Sequence, residues 1–542
     1  MRARPCWTGS RKPVASRCRS NRTGTPRVTR ITGRPLGQET WGADIEPPTP
    51  RDQEGRAVLA AAKNTFKGAL GALFLTVGLS VPAKAETLAD ALVHAYTHSG
   101  LLEQNRAVLR AADEDVAQAV AALRPVISWS SDITRSFGTT GSTQGATRIV
   151  GGAPVFTSRF VEQGFANNTA SINLLAQITL YDGGANRMSI DAAKEAVLAT
   201  RAGLVSIEQQ VLFRAVSAYM EVRRAIETVA LRENNVRVIR QELRAARDRF
   251  EVGEVTRTDV ALAEARISAA RSALSAAEGQ LAIAIEEFNA AVGRRPGSLT
   301  PPNGLPRIPS TENGAKGLAV RGHPEMERAQ RLVTVNEIGI RIAEAASSPT
   351  ISLQGRYGVT ENFDNQNFSR GGSIGLNASG PIYSGGALRS AVRKAMAQRD
   401  QSRANLHVVR HQIEQNVGNA YAQLAVAQAS TQAFRDQVRA ATVAFRGVRE
   451  EATLGARTTL DVLDAEQELL DARASLVSAQ VDETLAAYAI LAATGQLTAD
   501  ALNLNVPRYD PAAYYNLVKD APSGLSRQGD QLDRVLRALG KD

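Results

Sequence analysis

The chain has 542 residues, and its 64 Lys and Arg against 54 Asp and Glu give a formal net charge of +10. The N-terminal segment 1–85 holds 15 of the basic and 5 of the acidic side chains, which leaves 49 of each in the remainder. A remainder with balanced charge lacks the basic surface that a nucleic-acid-binding protein needs, so the sequence argues against that class.

The N-terminal part has the composition of a processed leader. Residues 1–57 are rich in Arg, Pro and Gly and look like neither a fold nor the usual start of an export signal, so we expect an over-called N-terminal extension. Residues 58–85 have two lysines, an apolar run and a final Ala-Lys-Ala, which is the pattern of a signal peptide. The exported protein is therefore predicted to begin at Glu86.

The predicted exported chain has no cysteine, because Cys6 and Cys18 both precede Glu86. It should form no disulfide and carry no lipid on an N-terminal cysteine. After Glu86 the sequence also lacks a run of about 18 or more consecutive apolar residues, the length that a membrane-spanning helix needs. We expect any membrane insertion to use β-strands.

Two motifs repeat along the chain with the same offset in residue number, which is 202. Tyr-x-Gly-Gly at 181–184 recurs at 383–386, and Gly-x-x-Thr-x-x-Asp-Val at 253–260 recurs at 455–462. Both lie in long, proline-free, Ala-rich charged sequence that is typical of extended helices. Equal offsets mean equal spacing in the two copies, which indicates a tandem duplication.

The duplication divides the sequence into four parts after the leader. We place a first repeat at 86–293, a linker or equatorial segment at 294–316, a second repeat at 317–498, and a C-terminal tail at 499–542 that is either equatorial or disordered. A pair of upstream prolines is offset by 224 instead of 202. This difference predicts an insertion at about 138–165 in the first copy.

Each repeat contains two apolar stripes with helical spacing. Steps of three and four with a mean of about 3.5 indicate a left-handed coiled-coil seam. The first stripe contains Ile207, Val211, Ala215, Ala218, Val222, Ala225, Val229, Val236, Ile239, Leu243, Ala246 and Phe250. A similar stripe recurs in the second copy at the same offset, and a second one follows each Gly-x-x-Thr motif. Each repeat is thus predicted to be a helical hairpin, whose first arm would be roughly 100 Å long.

Alternating sequence ahead of each hairpin predicts β-strands with one apolar face. The apolar positions are Ile127, Trp129, Ile133, Ile172, Leu174, Ala176, Ile178, Leu180, Ile351, Leu353, Tyr357, Val359, Ile374, Leu376, Ala378 and Ile382. Strands of about ten residues with one apolar and one polar face suit a transmembrane barrel. Four strands leave two open edges, so other subunits have to complete the barrel.

The doubled order of helix, two strands and helical hairpin, with the doubled motifs, resembles the TolC family of outer-membrane factors over about residues 86–498. The resemblance implies an α+β membrane protein that forms a homotrimer. Twelve strands would build one β-barrel, and twelve coiled-coil helices would build a periplasmic tunnel. The implied function is an outer-membrane exit duct of a tripartite efflux pump or type I secretion system, which conducts substrates passively.

The resemblance also implies the partners. They are a periplasmic adaptor protein, an inner-membrane ABC or RND transporter, and the lipid of the outer membrane. No cofactor and no nucleic acid is expected. The sequence leaves the transported substrate open.

The matching aspartates of the family line the periplasmic aperture, which assigns this role to Asp461 and Asp464. They are three residues apart on a helix and share a face. Three copies would place six carboxylates in a constriction that favours cations, and their repulsion should raise some of the pKa values.

The resemblance assigns an entrance latch to Arg457, which would face Thr258 and Asp259 and hold the tunnel shut until an adaptor engages. The family often has a tyrosine three residues before the tip glycine, where this chain has Ala452. The latch is therefore predicted to be weaker than in the family members that match best.

Glycines mark the predicted turns. Those between strand and helix contain Gly183, Gly184, Gly385 and Gly386, where glycine tolerates positive φ. Those at the hairpin tips contain Gly253, Thr256, Gly455 and Thr458. Because a turn alone does not explain the repeated threonine and aspartate, we expect these tips to contact an adaptor.

Other patterns are weaker. His94 with His98 and His407 with His411 have the spacing of a metal pair, but neither has the adjacent Glu of a His-Glu-x-x-His site, so exposed helix faces are the preferred interpretation. Ser373 lies in a Gly-x-Ser-x-Gly sequence that opens a strand instead of a helix. We predict no catalytic residue and no metal site, and hence no enzyme.

Two other classes stay open at this point. A trimeric coiled-coil surface adhesin or structural envelope protein would also combine coiled coil with strands, but would have its barrel segment once, at the C-terminus. A periplasmic enzyme with a helical scaffold would need convergent polar residues in a pocket.

Overall fold

The computed structural model describes residues 86–302, 304–522 and 526–538. The predicted extension, the signal peptide and both cysteines lie outside these described residues, so the structure does not bear on them.

The secondary structure repeats in two halves. The first half contains α1 (Leu88–His98), α2 (Gly100–Ala121), β1 (Val126–Val150), β2 (Ala153–Tyr181), α3 (Ala185–Glu251) and α4 (Arg257–Val292). The second half contains α5 (Glu312–Gly322), α6 (Pro324–Ala345), β3 (Thr350–Asn362), β4 (Phe368–Ser379), α7 (Ala387–Thr453) and α8 (Thr459–Ala493). The tail adds α9 (Pro511–Val518) and α10 (Arg527–Ala538).

Each half begins with two helices where the sequence predicted one. Ser99 separates α1 from α2 in an extended conformation, and its hydroxyl accepts a hydrogen bond from the Leu102 amide at 3.3 Å. His323 separates α5 from α6 in the same way, since the following Pro324 disfavours a helical conformation at that residue. Both breaks are caused by local helix caps, which the spacing of apolar residues does not reveal.

Helices α3 and α7 are the long arms of the hairpins, and both have 67 residues. At about 1.5 Å per residue each reaches roughly 100 Å. Half of each arm packs against a shorter helix, α4 or α8. The seam between α3 and α4 buries Val236, Ile239, Leu243, Ala263, Ile267 and Ala270. Alanines on one side allow the two backbones to approach closely.

The main core lies where α1 and the end of α4 pack against the middle of α3. Tyr219 and Phe288 are fully buried there with ring centroids 6.4 Å apart. The Tyr219 hydroxyl lies 2.9 Å from the Glu86 carbonyl oxygen and 2.6 Å from that of Thr300. It therefore ties the first described residue to the segment that follows α4.

The tail packs on α2. The Tyr514 hydroxyl donates to Glu114 Oε1 at 2.6 Å, and the Arg124 guanidinium donates to the carbonyl oxygens of Asp520 and Ala521. The tail is thus held against α2 as far as Ala521.

Helix α8 is long and apolar enough to cross a membrane by length and composition. Its side chains Leu469, Ala487 and Ile490 are buried against α7 and its neighbours. Because such burial is typical of a core helix, we assign α8 to the helical bundle.

The strands form one antiparallel sheet in the order β1-β2-β3-β4. Strand β1 pairs with β2 along its whole length, whereas β3 pairs with β2 only from Thr169 to Tyr181. The predicted insertion at 138–165 therefore does not form a separate loop. It lengthens β1 and β2 into a hairpin that extends well past the rest of the sheet.

One face of the sheet is apolar and exposed. It carries Ile127, Trp129, Ile133, Ile172, Leu174, Leu353, Tyr357, Ile374 and Leu376. The opposite face carries Ser128, Ser130, Asp132, Asn173, Gln177, Gln354, Arg356, Ser373 and Asn377. An exposed apolar sheet face opposite a polar one is the pattern of a strand between lipid and an aqueous lumen.

Candidate functional site

The turns between sheet and helix use the predicted glycines. Gly183, Gly184, Gly385 and Gly386 all have positive φ, between +60° and +85°. In the first turn the Asp182 carboxylate accepts from the amides of Gly184 and Asn186 at 3.0 and 2.7 Å. These turns set the direction in which each long helix leaves the sheet.

At the far end of each long helix a glycine reverses the chain. Gly253 and Gly455 have φ of +81° and +78°, a conformation that glycine adopts without strain. The residues before them, Val252 and Leu454, are 72% and 84% exposed. Sequence reasoning missed this apolar pair, although the two positions are equivalent in the duplication and each precedes a tip glycine.

The threonine and aspartate of each tip form a helix cap. The Thr256 hydroxyl accepts from the Asp259 amide at 3.3 Å, and the Asp259 carboxylate accepts from the Thr256 amide at 2.9 Å. Thr458 and Asp461 repeat this arrangement at 3.2 and 2.9 Å. Both are capping boxes that start α4 and α8. Local helix initiation thus explains the repeated residues, so their repetition is not itself evidence for a partner.

The two tips of one chain lie side by side around a cleft of about 690 Å³. Its lining residues are Arg249, Glu254, Val255, Thr256, Asp259, Ala452, Thr453, Leu454, Gly455, Ala456, Arg457, Thr458, Thr459 and Asp461. The tertiary structure therefore brings together most of the residues that the sequence assigned to the entrance. Thr258 is exposed and does not line the cleft.

Arg457 binds a residue of its own hairpin. Its Nε lies 2.8 Å from Glu451 Oε2, and both side chains are about half exposed. Glu451, and after it Asp461, raise the pKa of the Arg457 guanidinium. Asp259, the partner expected from the resemblance, has its carboxylate in the capping box with Thr256.

Ala452 is buried at the edge of the same cleft. A tyrosine ring at this position would have to displace neighbouring side chains, which is costly in packed helices.

Asp461 and Asp464 have different partners, although they share a face of α8. Hydrogen bonds from the backbone and hydroxyl of Thr458 lower the pKa of Asp461. Asp464 Oδ1 accepts from Arg266 Nη2 of α4 at 2.5 Å. Within one chain, local hydrogen bonds thus act on Asp461 in the opposite direction to the repulsion expected at an aperture.

A second polar layer joins the hairpins slightly further from the tips. Glu466 of α8 is buried beside Asn235 of α3, and burial raises the pKa of Glu466 more than Asn235 lowers it. Arg449 Nε of α7 lies 3.4 Å from Glu242 Oε1 of α3. The sequence did not predict this layer, because each of its residues lies next to a position of a predicted apolar stripe and not in the stripe itself.

The weaker motifs lie away from the tips. The rings of His94 and His98 stack at 5.5 Å, and His98 Nδ1 lies 3.1 Å from the His94 carbonyl oxygen. His411 Nδ1 lies 3.6 Å from Glu414 Oε2. Within the described ranges no group of three or more His, Cys, Asp or Glu side chains could hold a metal ion. Ser373 lies within β4, with no helix following it directly.

Comparisons of the sequence with a protein family and with individual proteins agree with one another. The sequence profile of the outer membrane efflux protein family matches residues 92–294 and 317–496. The outer membrane efflux protein BepC of Brucella suis is 36% identical over 452 residues, which cover 83% of this chain and 94% of BepC. The alkaline protease secretion protein AprF of Pseudomonas aeruginosa is 27% identical over 51% of this chain and 60% of its own length.

The fold is also similar to solved structures. The outer membrane protein VceC of Vibrio cholerae superimposes with a TM-score of 0.58 at 22% identity, covering 75% of this chain and 96% of VceC. The MtrE outer membrane channel of Neisseria gonorrhoeae, solved in its open state, gives a TM-score of 0.60 at 20% identity over 76% of this chain and 90% of MtrE.

Proposed function

The chain belongs to the outer membrane efflux protein family, and from this membership we propose that it is the exit duct of a tripartite efflux pump or a type I secretion system. An inner-membrane ABC or RND transporter would deliver the substrate, and a periplasmic adaptor would connect that transporter to the helical tips. The duct itself would conduct passively.

Family membership places the protein in the outer membrane, with a tunnel that extends into the periplasm. It also confirms the predicted fold class. Two helical hairpins and four strands are what one subunit contributes to a trimeric channel with a helical tunnel and a twelve-stranded barrel. The family consists of channel proteins.

The observation that carries the proposal is the connection of the exposed apolar sheet face to helices of roughly 100 Å. A sheet of this kind suits a membrane, while helices of this length suit a periplasmic tunnel. Strands that interrupt the helices twice do not fit the adhesin, which would have its barrel segment once, at the C-terminus.

The helical tips are proposed as the entrance and the adaptor site. Exposed Val252 and Leu454 offer apolar contacts at equivalent points of both hairpins, next to Gly253 and Gly455. An adaptor that buries them would gain about 1.5 to 3 kcal/mol for each side chain that it removes from water.

We further propose that Asp461 and Asp464 line the aperture and that Arg457 helps to close it together with Thr258 and Asp259.

The proposed repeats keep the boundaries 86–293 and 317–498, with 294–316 between them and 499–542 as the tail. The first repeat then contains two short helices, two strands and one hairpin. The second contains the equivalent elements except for the start of α5, which begins at Glu312 within the segment 294–316.

Single-channel recording tests the duct directly. Purified trimers in a planar bilayer should show discrete conductance steps, whereas an adhesin should show none. Deletion of the gene should then separate the two cargo classes. Increased sensitivity to drugs would indicate an efflux pump, and loss of a protein from the culture medium would indicate type I secretion.

A further inference from the structure

The hairpin of β1 and β2 extends far beyond the rest of the sheet. Strand β3 reaches only Thr169 of β2, and the turn after β3 is fixed there because the Asp364 carboxylate accepts from the amide and side chain of Asn168 at 2.5 and 2.7 Å. From Arg135 to Val150, β1 pairs with β2 alone. At about 3.3 Å per residue this projection is roughly 50 Å long.

Most of the projection, from Gly138 on, lies outside the apolar band of the barrel. On the apolar face the band runs from Ile127 to Phe137 along β1, interrupted by Ser131 and Arg135. At about 3.3 Å per residue and a tilt of about 40°, it spans roughly 25 Å, the height of the apolar band of an outer-membrane barrel. The projecting hairpin is therefore on the external side, since the helices leave the sheet at its other end.

The hairpin has a defined conformation. Gly151 and Gly152 have φ of +61° and +86°, as in the two-residue loop that suits the twist of a hairpin. The Phe160 ring lies across Gly141, where an added Cβ would be 2.3 Å from the ring. Aromatic rings that cover glycines compensate for the side chains that these positions lack. An isolated two-stranded ribbon is nevertheless only marginally stable in water, so a covering partner is expected.

The end of the hairpin is apolar on both faces. We call the side of the ribbon that continues the apolar face of the sheet the lipid-side face, and the opposite side the lumen-side face. Ile149 and Phe156 lie on the lipid-side face and are 74% and 82% exposed. Val150 and Val155 lie on the lumen-side face and are 57% and 44% exposed. Four neighbouring apolar side chains at the tip of a ribbon outside the membrane form a surface that needs cover.

We propose that the tips of the three β1–β2 hairpins of a trimer meet above the channel axis and close its external mouth. This inference rests on the proposed duct function and adds a second, external gate to it. Each tip is thus covered by the same tip of a second subunit, with Val150, Ala153 and Val155 in contact across the axis.

The subunit interface supports this occupant. Strand β1 is an edge of the sheet, so closing a barrel requires it to pair with β4 of the next subunit, and β4 is only 12 residues long. The projecting part of β1 continues that interface. Twelve strands about 4.8 Å apart with a tilt of about 40° give a barrel radius of roughly 12 Å. A projection of roughly 50 Å then reaches the axis if it leans inward by about 15°.

Charge on the lumen-side face makes the closure reversible. Arg148 and Arg159 lie on this face, whereas Glu162, the one acidic residue of the projection, lies on the other. Three subunits would place six guanidinium groups around the mouth. Their repulsion opposes the apolar contact, so higher salt should favour the closed state by screening it.

Cross-linking tests whether the tips meet. In trimers with Cys6 and Cys18 replaced by Ser, Val150→Cys should form disulfide-linked dimers on oxidation. Thr147→Cys lies three residues away on the opposite face and serves as the matched control, with little cross-linking expected. Equal cross-linking of both variants, or of neither, would overturn the proposal.

Labelling from outside the cell tests whether the tips restrict access. Ser130→Cys, on the lumen-side face of the barrel, should react with a large polyethylene glycol maleimide at least about fivefold faster when Val150→Lys and Val155→Lys are added, because these positive charges add to those of Arg148 and Arg159 and separate the tips. Ser158→Lys, on the other face, should leave the rate unchanged. Equal rates in all three would contradict the gate. Neither readout requires conduction, so trimers that never conduct would refute the duct and leave the tip contact to be judged by the cross-links.

Discussion

The Arg266 guanidinium of α4 binds the Asp464 carboxylate of α8 at 2.5 Å, which links the two hairpins of one chain near their tips. Both side chains are partly exposed, so the pair stabilises the contact by only about 0 to 1 kcal/mol. The buried Glu466 and the pair of Arg449 with Glu242 reinforce the same contact. Movement of one hairpin against the other therefore has to break several weak links at once.

Removing the charge of Asp461 and Asp464 should reduce cation selectivity. Asparagine at both positions retains an acceptor for the helix cap at 461 and eliminates the proposed ring of six carboxylates. We expect the ratio of cation to anion permeability, measured from reversal potentials, to fall roughly severalfold, and block by trivalent cations to weaken. Asp482→Asn, further along α8 where Asp482 pairs with Arg224, should change neither. Unaltered selectivity in the double variant would place the ring elsewhere.

Arg457→Ser should raise the resting conductance and the sensitivity of cells to large antibiotics. The structure provides a way to identify the partner, because Arg457 binds Glu451 within its own hairpin. If that pair positions the arginine for closure, Glu451→Gln should reproduce much of the effect. If Arg457 instead acts on Thr258 and Asp259 alone, Glu451→Gln should leave the resting conductance and the antibiotic sensitivity unchanged. Wild-type conductance of Arg457→Ser at every voltage and salt concentration would show that the latch is not there.

Loss of either capping threonine should loosen one tip only. Thr256→Ala removes the acceptor for the Asp259 amide, and Thr458→Ala removes that for Asp461. Each change should cost about 1 kcal/mol of local helix stability, which corresponds to roughly fivefold faster amide exchange in the first turn of α4 or α8. Serine at the same positions restores the cap and should restore protection. Exchange that rises equally in both tips of a single variant would contradict independent caps.

Asp113 should make the stability of the bundle depend on pH. Its side chain is fully buried on α2 and has no hydrogen-bond partner among the residues that the structure describes, and burial raises its pKa from 3.8 to about 6. Between pH 3.8 and about pH 6 the Asp113 carboxyl binds a proton in the folded chain that it lacks in the unfolded chain. The free energy of unfolding therefore falls as the pH rises through this range and stays at its lower value above about pH 6.

Asp113→Asn removes that dependence. Thermal unfolding of the variant should shift less than that of wild type between about pH 5 and pH 7.5, with a gain of at most about 3 kcal/mol per subunit at the higher pH. Asp115→Asn, exposed on the same helix, should behave like wild type. Identical pH profiles for the two variants would refute the role of Asp113.

Much of the architecture follows from local pattern. The constant offset between the two copies reappears as two helices of equal length, α3 and α7. The apolar stripes predicted from steps of three and four supply buried seam residues such as Val222 and Leu243. The first result depends on the spacing of motifs along the chain and the second on periodicity within one segment, and the sequence contains both in full.

The site was predictable only in part. The tip glycines and the carboxylates of α8 could be found from motifs, because a helix stop and a helix start have short sequence signals. Their partners could not. Arg457 binds Glu451 across the turn of its own hairpin, so this pair depends on the shape of the turn. Asp464 binds Arg266 on a helix of the other hairpin, so that pair depends on how the hairpins pack.

The sequence by itself determined that the chain is a duplicated set of strands and long helical hairpins, because side-chain periodicity and turn residues are local properties. Only the tertiary structure decided that residues 138–165 continue a β-ladder past the sheet, that Asp113 and Glu466 are buried, and that both tips surround one cleft. The physical reason is that strand register, desolvation and ion pairing depend on distances between segments far apart in the chain.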